Sequence, residues 1–121
     1  MRTEIITVGD EVLRGETVEN NTVWLSRSMT IEGLTPSRQT ALPDDMDSIR
    51  DELSASAARS DAVIVTGGLG PTVDDVTRQA AIDAFGGKVD VRADIVAGIE
   101  LRFKQLGLRM PAGYRDLARI P

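Results

Sequence analysis

The chain is 121 residues long, 41% hydrophobic and 27% charged, with a net charge of −5, which places it among folded domains built on one core. It has neither cysteine nor histidine, which excludes thiol catalysis, disulfides and Cys or His metal sites and leaves chemistry to carboxylates, hydroxyls, Lys, Arg or a hard metal ion. The acidic balance and isolated basic residues argue against a nucleic-acid surface, and no apolar run approaches the about 18 residues of a membrane span. No secretory leader follows Met1, so a cytoplasmic location is expected. Aromatics are 3%, so the core falls to Val, Ile, Leu, Ala and Met.

Thr3-Glu4-Ile5-Ile6-Thr7-Val8 is β-branched and apolar enough for a first, central strand. Gly9-Asp10-Glu11-Val12-Leu13-Arg14-Gly15 then reads as a loop, either a solvated charged turn or one wall of a cleft. Asn20 or Asn21 caps a predicted helix to about Glu32, with Val23, Trp24, Met29 and Ile31 as its apolar contacts and Trp24 expected in the core. Leu34 to Leu42 reads as an edge or short strand interrupted by Pro36. Pro43-Asp44-Asp45 opens a helix with a buried stripe of Met46, Ile49, Leu53 and Ala57, and either Asp serves as an N-cap.

Asp61 to Thr66 is a buried strand that runs into Thr66-Gly67-Gly68-Leu69-Gly70-Pro71-Thr72-Val73-Asp74-Asp75-Val76-Thr77. Val76, Ala80, Ala81 and Phe85 then recur at helical spacing until Gly86-Gly87. Glycines at a strand-to-helix turn let backbone approach a ligand, and a helix start suits phosphate. Asp74 and Asp75 beside that corner suggest a bridging Mg²⁺ or similar ion, although Asp near a helix start is also a common cap. The stretch fits neither a Walker A loop nor the dinucleotide GxGxxG pattern. Lys88-Val89-Asp90-Val91 reads as a short strand or connector, and Ala93 to Leu106 as a helix carrying Ile95, Val96, Ile99, Phe103 and Leu106 on one side. Gly113 to Ile120 suggests a last short helix. The alternation predicts an α/β fold with a mostly parallel sheet covered on both faces, and loops after parallel strands gathered at one edge.

The ordered set Gly9–Gly15, Asn20/Asn21, Pro43-Asp44-Asp45 and Thr66–Thr77 resembles the molybdopterin-binding domain superfamily. Within it, Leu69, Pro71-Thr72 and the Asp pair are most similar to the N-terminal domain of the competence/damage-inducible CinA proteins. The resemblance implies a three-layer α/β/α domain that binds a phosphorylated nucleotide or a molybdopterin-type pterin. It implies Asp75 and Asp44 as catalytic residues and a divalent metal ion held by Asp75 and Asp74. Gly9, Asp10, Glu11, Thr66, Gly67, Gly68, Leu69, Gly70, Pro71 and Thr72 are the ligand-binding residues it implies. CinA-type domains are associated with metal-dependent hydrolysis of the pyrophosphate of ADP-ribose. Their relatives carry out molybdopterin binding or adenylyl transfer, and a non-catalytic binding or oligomerisation module is a third reading. A homo-oligomer is expected from the resemblance. Family members carry an Asn and a Gln near Tyr114 and Leu117 here, and continue past Pro121 with a further strand and loop. A single domain over 1–121 lacking that segment, with no amidase activity, is the resulting expectation.

Overall fold

The computed structural model describes residues 1–120; Pro121 lies outside them. β1 (Thr3–Val8), buried along its whole length, is the middle strand of a three-stranded parallel sheet between β2 (Arg38–Leu42) and β3 (Ala62–Thr66). A strand covered on both faces reads as a continuous β-branched run rather than an alternation, which is what Ile5-Ile6-Thr7-Val8 supplies. On one face Ile6 and Val8 join Ile49 and Leu53 of α3 (Met46–Arg59) and Ala80 of α4 (Thr77–Phe85) in the core, with Val63 and Val65 of β3 against them. On the other face the Thr7 and Thr22 hydroxyls meet at 2.7 Å, Thr22 belonging to α2 (Asn20–Ile31). The α/β architecture with helices on both faces of a parallel sheet is as the sequence implies.

Several details differ. The Gly9–Gly15 segment contains a single helical turn, α1 (Asp10–Leu13). β2 begins only at Arg38, because Pro36 cannot donate to the ladder, and it lies at the sheet edge. In α2 the cap is Glu19, whose carboxylate accepts the N–H groups of Asn21 and Thr22, rather than Asn20 or Asn21. Trp24 is 67% exposed and outside the core, and Val23 and Ile31 are exposed with it. The reason is polar docking: Thr22 bonds Thr7 and Ser26 accepts from Gln39 at 2.7 Å, so these hydroxyls meet the sheet, Met29 is half-buried, and Trp24 and Ile31 are left outside the core. Phe85 at the end of α4 is likewise exposed.

In α3 the buried stripe is Ile49, Leu53 and Ser56, while Ala57 faces solvent. Ser56 is drawn inward by Glu4 of β1, which is only 3% exposed. Glu4 accepts from Arg59 Nε at 2.8 Å and Nη2 at 2.7 Å and from the Ser56 and Ser60 hydroxyls, and Arg59 also binds Glu52. The Arg59 fork outweighs desolvation and pulls the Glu4 carboxyl from its usual 4.5 to about 2.

The last quarter of the chain, from Asp90 to Ile120, forms a layer of its own. α5 (Ala93–Gln105) buries Val96, half-buries Ile95, Ile99 and Phe103, and leaves Leu106 exposed just past its end. Phe103 meets Tyr114 edge to face at 4.9 Å. The expected helix over 113–120 is instead a 3-10 helix, Ala112–Ala118, followed by β5 (Arg119–Ile120). β5 pairs antiparallel with β4 (Asp90–Val91), where the sequence pattern placed a short strand.

Candidate functional site

The loops after the three parallel strands are tied together at their carboxyl ends. The Gly9 N–H donates to the Leu42 carbonyl at 2.9 Å. Asp10 and Asp44 exchange bonds: the Asp10 N–H donates to Asp44 Oδ2 at 3.1 Å, and the Asp44 N–H donates to Asp10 Oδ1 at 3.0 Å. Asp44 therefore does not cap α3. Asp45 does, accepting the Ser48 N–H at 2.9 Å and its hydroxyl at 2.7 Å, and those bonds hold its carboxyl below the usual range.

The glycine turn is pressed against β1 from the other side. Gly67 has φ +87° and Gly68 φ +61°, and a Cβ on Gly67 would overlap the Val8 carbonyl oxygen. Behind them the Thr77 hydroxyl donates to the Gly67 carbonyl at 2.9 Å, and the Thr77 N–H to the Gly68 carbonyl at 3.1 Å. These glycines let β3 hand over to α4 without leaving the end of β1. Asp75 is no N-cap either, since α4 is capped by Val76 without a side-chain bond. Its Oδ2 accepts both the Thr72 hydroxyl at 2.6 Å and the Thr72 N–H at 2.9 Å. The Thr72 hydroxyl, backed by its N–H, the Gly70 N–H and the charge of Arg78, keeps the Asp75 carboxyl below its usual range against partial burial.

Two depressions flank this turn. A pocket of about 190 Å³ lies between Gly70–Asp75, α4 and the C-terminal layer, where Arg78 and Gln79 face Asp116 and Arg119. Arg78 Nη1 donates to the Leu117 carbonyl at 3.3 Å, and among the described residues neither Arg78 nor Arg119 forms an ion pair. On the α2 side, a cleft of about 300 Å³ opens over the ends of β1 and β3, bordered by Thr7, Glu11, Thr17, Asn20, Asn21, Thr66 and Gly67. The Thr66 hydroxyl oxygen is buried there without a partner, a state that costs about 1–3 kcal/mol.

The residues singled out in the sequence thus divide. Glu11, Thr66 and Gly67 border the cleft; Gly70, Pro71, Thr72 and Asp75 border the pocket. Gly9 and Gly68 lie in the packed seam, the Asp10–Asp44 pair joins the first two loops, and Leu69, Val73 and Asp74 are exposed. Asp44 and Asp75 do not line a common depression, and among the described residues no three carboxylates converge as a ready metal cage. With Oδ2 engaged by Thr72, Asp75 offers Oδ1. One carboxylate oxygen fits an ion that arrives with its phosphate, since Mg²⁺ takes one or two carboxylates plus substrate phosphates.

Sequence reading missed Arg78 and Arg119. Arg78 follows Asp75 by three positions and had a local signal; Arg119 is 44 positions along the chain from Asp75 and had none. Tyr114 packs against Phe103, and the Leu117 backbone carbonyl accepts from Arg78.

Residues 4–119 match the family described as "Probable molybdopterin binding domain". A CinA-like protein of Citrifermentans bemidjiense is 41% identical over 118 residues, covering 96% of this chain and 28% of the relative. A CinA-like protein of Gemmatimonas aurantiaca is 37% identical over 122 residues, covering 100% of this chain and again 28% of the relative. The chain therefore spans less than a third of these relatives' length. Among solved structures, the protein CinA of Thermoplasma acidophilum, described as of unknown function, superposes with a TM-score of 0.86 at 31% identity, over 99% of this chain and 70% of that one. The molybdopterin biosynthesis enzyme MoaB of Thermus thermophilus shares the fold, with a TM-score of 0.66 at 23% identity over 93% of this chain and 68% of that one.

Proposed function

This chain belongs to the family of probable molybdopterin binding domains, among its CinA-like members, and from that premise we propose that it binds a phosphorylated nucleotide and hydrolyses its pyrophosphate with a divalent ion. The observation that carries this reading is the pocket in which a carboxylate with one uncommitted oxygen, Asp75, stands beside two guanidinium groups without ion pairs, Arg78 and Arg119.

Guanidinium forks match phosphate oxygens in pairs, so Arg78 and Arg119 hold the pyrophosphate from two directions. The Thr72 N–H and hydroxyl fix the Asp75 carboxylate at the pocket wall and keep it ionised. Asp75 would hold the divalent ion, with exposed Asp74 adjoining it, and such an ion supplies Lewis acidity at the phosphoryl oxygens. The Asp10–Asp44 exchange keeps the neighbouring loops in register and leaves Asp44 a positioning role at the far side of the strand ends. A second reading, pterin binding without hydrolysis, is supported by the family description itself.

The test is ADP-ribose turnover with a panel of divalent ions, on this chain and on Asp75→Ala. Metal-dependent AMP release that falls at least about a hundredfold in the variant supports the proposal. A folded chain that releases no AMP yet binds a phosphorylated pterin would move the assignment to the second reading. Binding of ADP-ribose with no turnover under any ion would leave a ligand-binding module.

A further inference from the structure

Residues 88–120 are held to the sheet body by little besides the chain itself. Their strands β4 and β5 make a two-stranded sheet of their own. The core around Ile6, Ile49 and Ala80 takes no side chain from beyond Ala84. Among the described residues no ion pair joins the two parts. One hydrogen bond does, from Arg78 Nη1 to the Leu117 carbonyl at 3.3 Å, which is long for an N–H···O bond. The parts touch at Gly113, where a Cβ would stand 3.3 Å from the Pro71 carbonyl oxygen. The chain passes between them at Gly86-Gly87, with φ of +73° and +124° and open space where a Cβ would stand at either residue. Two exposed glycines without neighbours turn through wide ranges of φ and ψ at small cost, which is what a hinge requires.

The Arg78–Arg119 pocket lies in this seam. Asp75, Arg78 and Gln79 stand on the wall formed by the sheet body, and Asp116 and Arg119 on the wall formed by the C-terminal layer. We propose that residues 88–120 are a hinged lid on this pocket, turning at Gly86-Gly87, and that a diphosphate closes it by accepting from Arg78 on the body and Arg119 on the lid at once. A ligand shifts an equilibrium between two arrangements by its difference in affinity for them, and only the closed arrangement offers both guanidinium groups. Charge-assisted bonds from Arg119 to phosphate oxygens outweigh the single long bond that holds the lid in the free chain. Turnover then waits on closure, because Arg119 reaches the phosphates only when the lid is down. The identity of the ligand rests on the proposed function; the hinge does not.

The chain has no cysteine, so a pair of spin labels can be placed at Ser54→Cys on α3 and Gln105→Cys on α5, both exposed, without removing a native thiol. Distances between the labels are measured in the free chain and at saturating inorganic pyrophosphate, with binding followed by calorimetry. A broad distribution that narrows at least about twofold with pyrophosphate supports the lid. Arg119→Gln is expected to bind pyrophosphate about tenfold more weakly and to keep the broad distribution at saturation. Identical distributions in the free and bound chain, or closure that Arg119→Gln leaves intact, would overturn the lid while the pocket stands. A chain that binds no pyrophosphate would overturn the lid and the proposed function together. Closure on pyrophosphate without ADP-ribose turnover under any ion would strike the pyrophosphatase reading alone.

Discussion

At the amino end of the sheet, Glu4 is buried against α3 and met by Arg59, Ser56 and Ser60, with Glu52 closing the other side of Arg59. At the carboxyl end of the same strands, Arg78 and Arg119 face a pocket without ion pairs, and Glu11 and Thr66 face a cleft without hydrogen bonds. Thr3, whose hydroxyl is buried and unpartnered, is the exception at the amino end. A buried polar group that is fully answered contributes to one fold, whereas the charged groups open toward a depression are those that the proposed ligand would meet.

The largest blow to this contrast comes from the seam that joins the two depressions. Gly67→Ala puts a Cβ into the Val8 carbonyl at a positive φ, and a loss of more than about 4 kcal/mol, read by urea or thermal unfolding, is expected. Near-normal stability in that variant would mean that the turn can leave β1. Next, Glu4→Ala at the amino end is expected to cost about 3 kcal/mol while leaving ligand affinity of the folded fraction unchanged. The wild-type pH profile carries the same information. Because the folded carboxyl titrates near 2 and the unfolded one near 4.5, its stabilisation is whole above about pH 4.5 and is lost as pH falls toward 2. Unfolding midpoints that stay flat across that window would remove Glu4 from the stability account.

At the carboxyl end the order reverses. Arg78→Gln is expected to weaken pyrophosphate or ADP-ribose binding about tenfold, or about 1.4 kcal/mol, with stability changed by less than about 0.5 kcal/mol. A large stability loss with unaltered binding would place Arg78 with Glu4 as a structural group. The smallest effect belongs to Trp24→Gln, expected within about 0.5 kcal/mol of wild type by the same unfolding curves, since the indole lies on the outward face of α2.

Much of the fold was legible because its signals are local. The β-branched run of β1, the glycine turn after β3 and the apolar period of α3 each lie within a dozen residues of chain, and the elements stand close to where those patterns put them. The candidate site was legible in part for the same reason: Thr66, Gly67, Gly70, Thr72 and Asp75, which border the two depressions, are one stretch. Trp24 was misplaced because periodicity finds a stripe without saying which face docks. Here hydroxyls of Thr22 and Ser26 took the sheet, and Trp24 went to solvent.

By itself, then, the sequence determined the class of fold, the strand that must be central, the absence of thiol and imidazole chemistry, and the glycine turn between β3 and α4. The tertiary structure alone decided which polar groups meet. Glu4 finds Arg59 across 55 positions, Asp10 finds Asp44 across 34, and Arg119 reaches the pocket of Asp75 through a C-terminal layer that reads as an ordinary helix. Hydrogen bonds and ion pairs act over a few ångströms of space regardless of separation along the chain, so a one-dimensional pattern carries the donors and acceptors but not their partners.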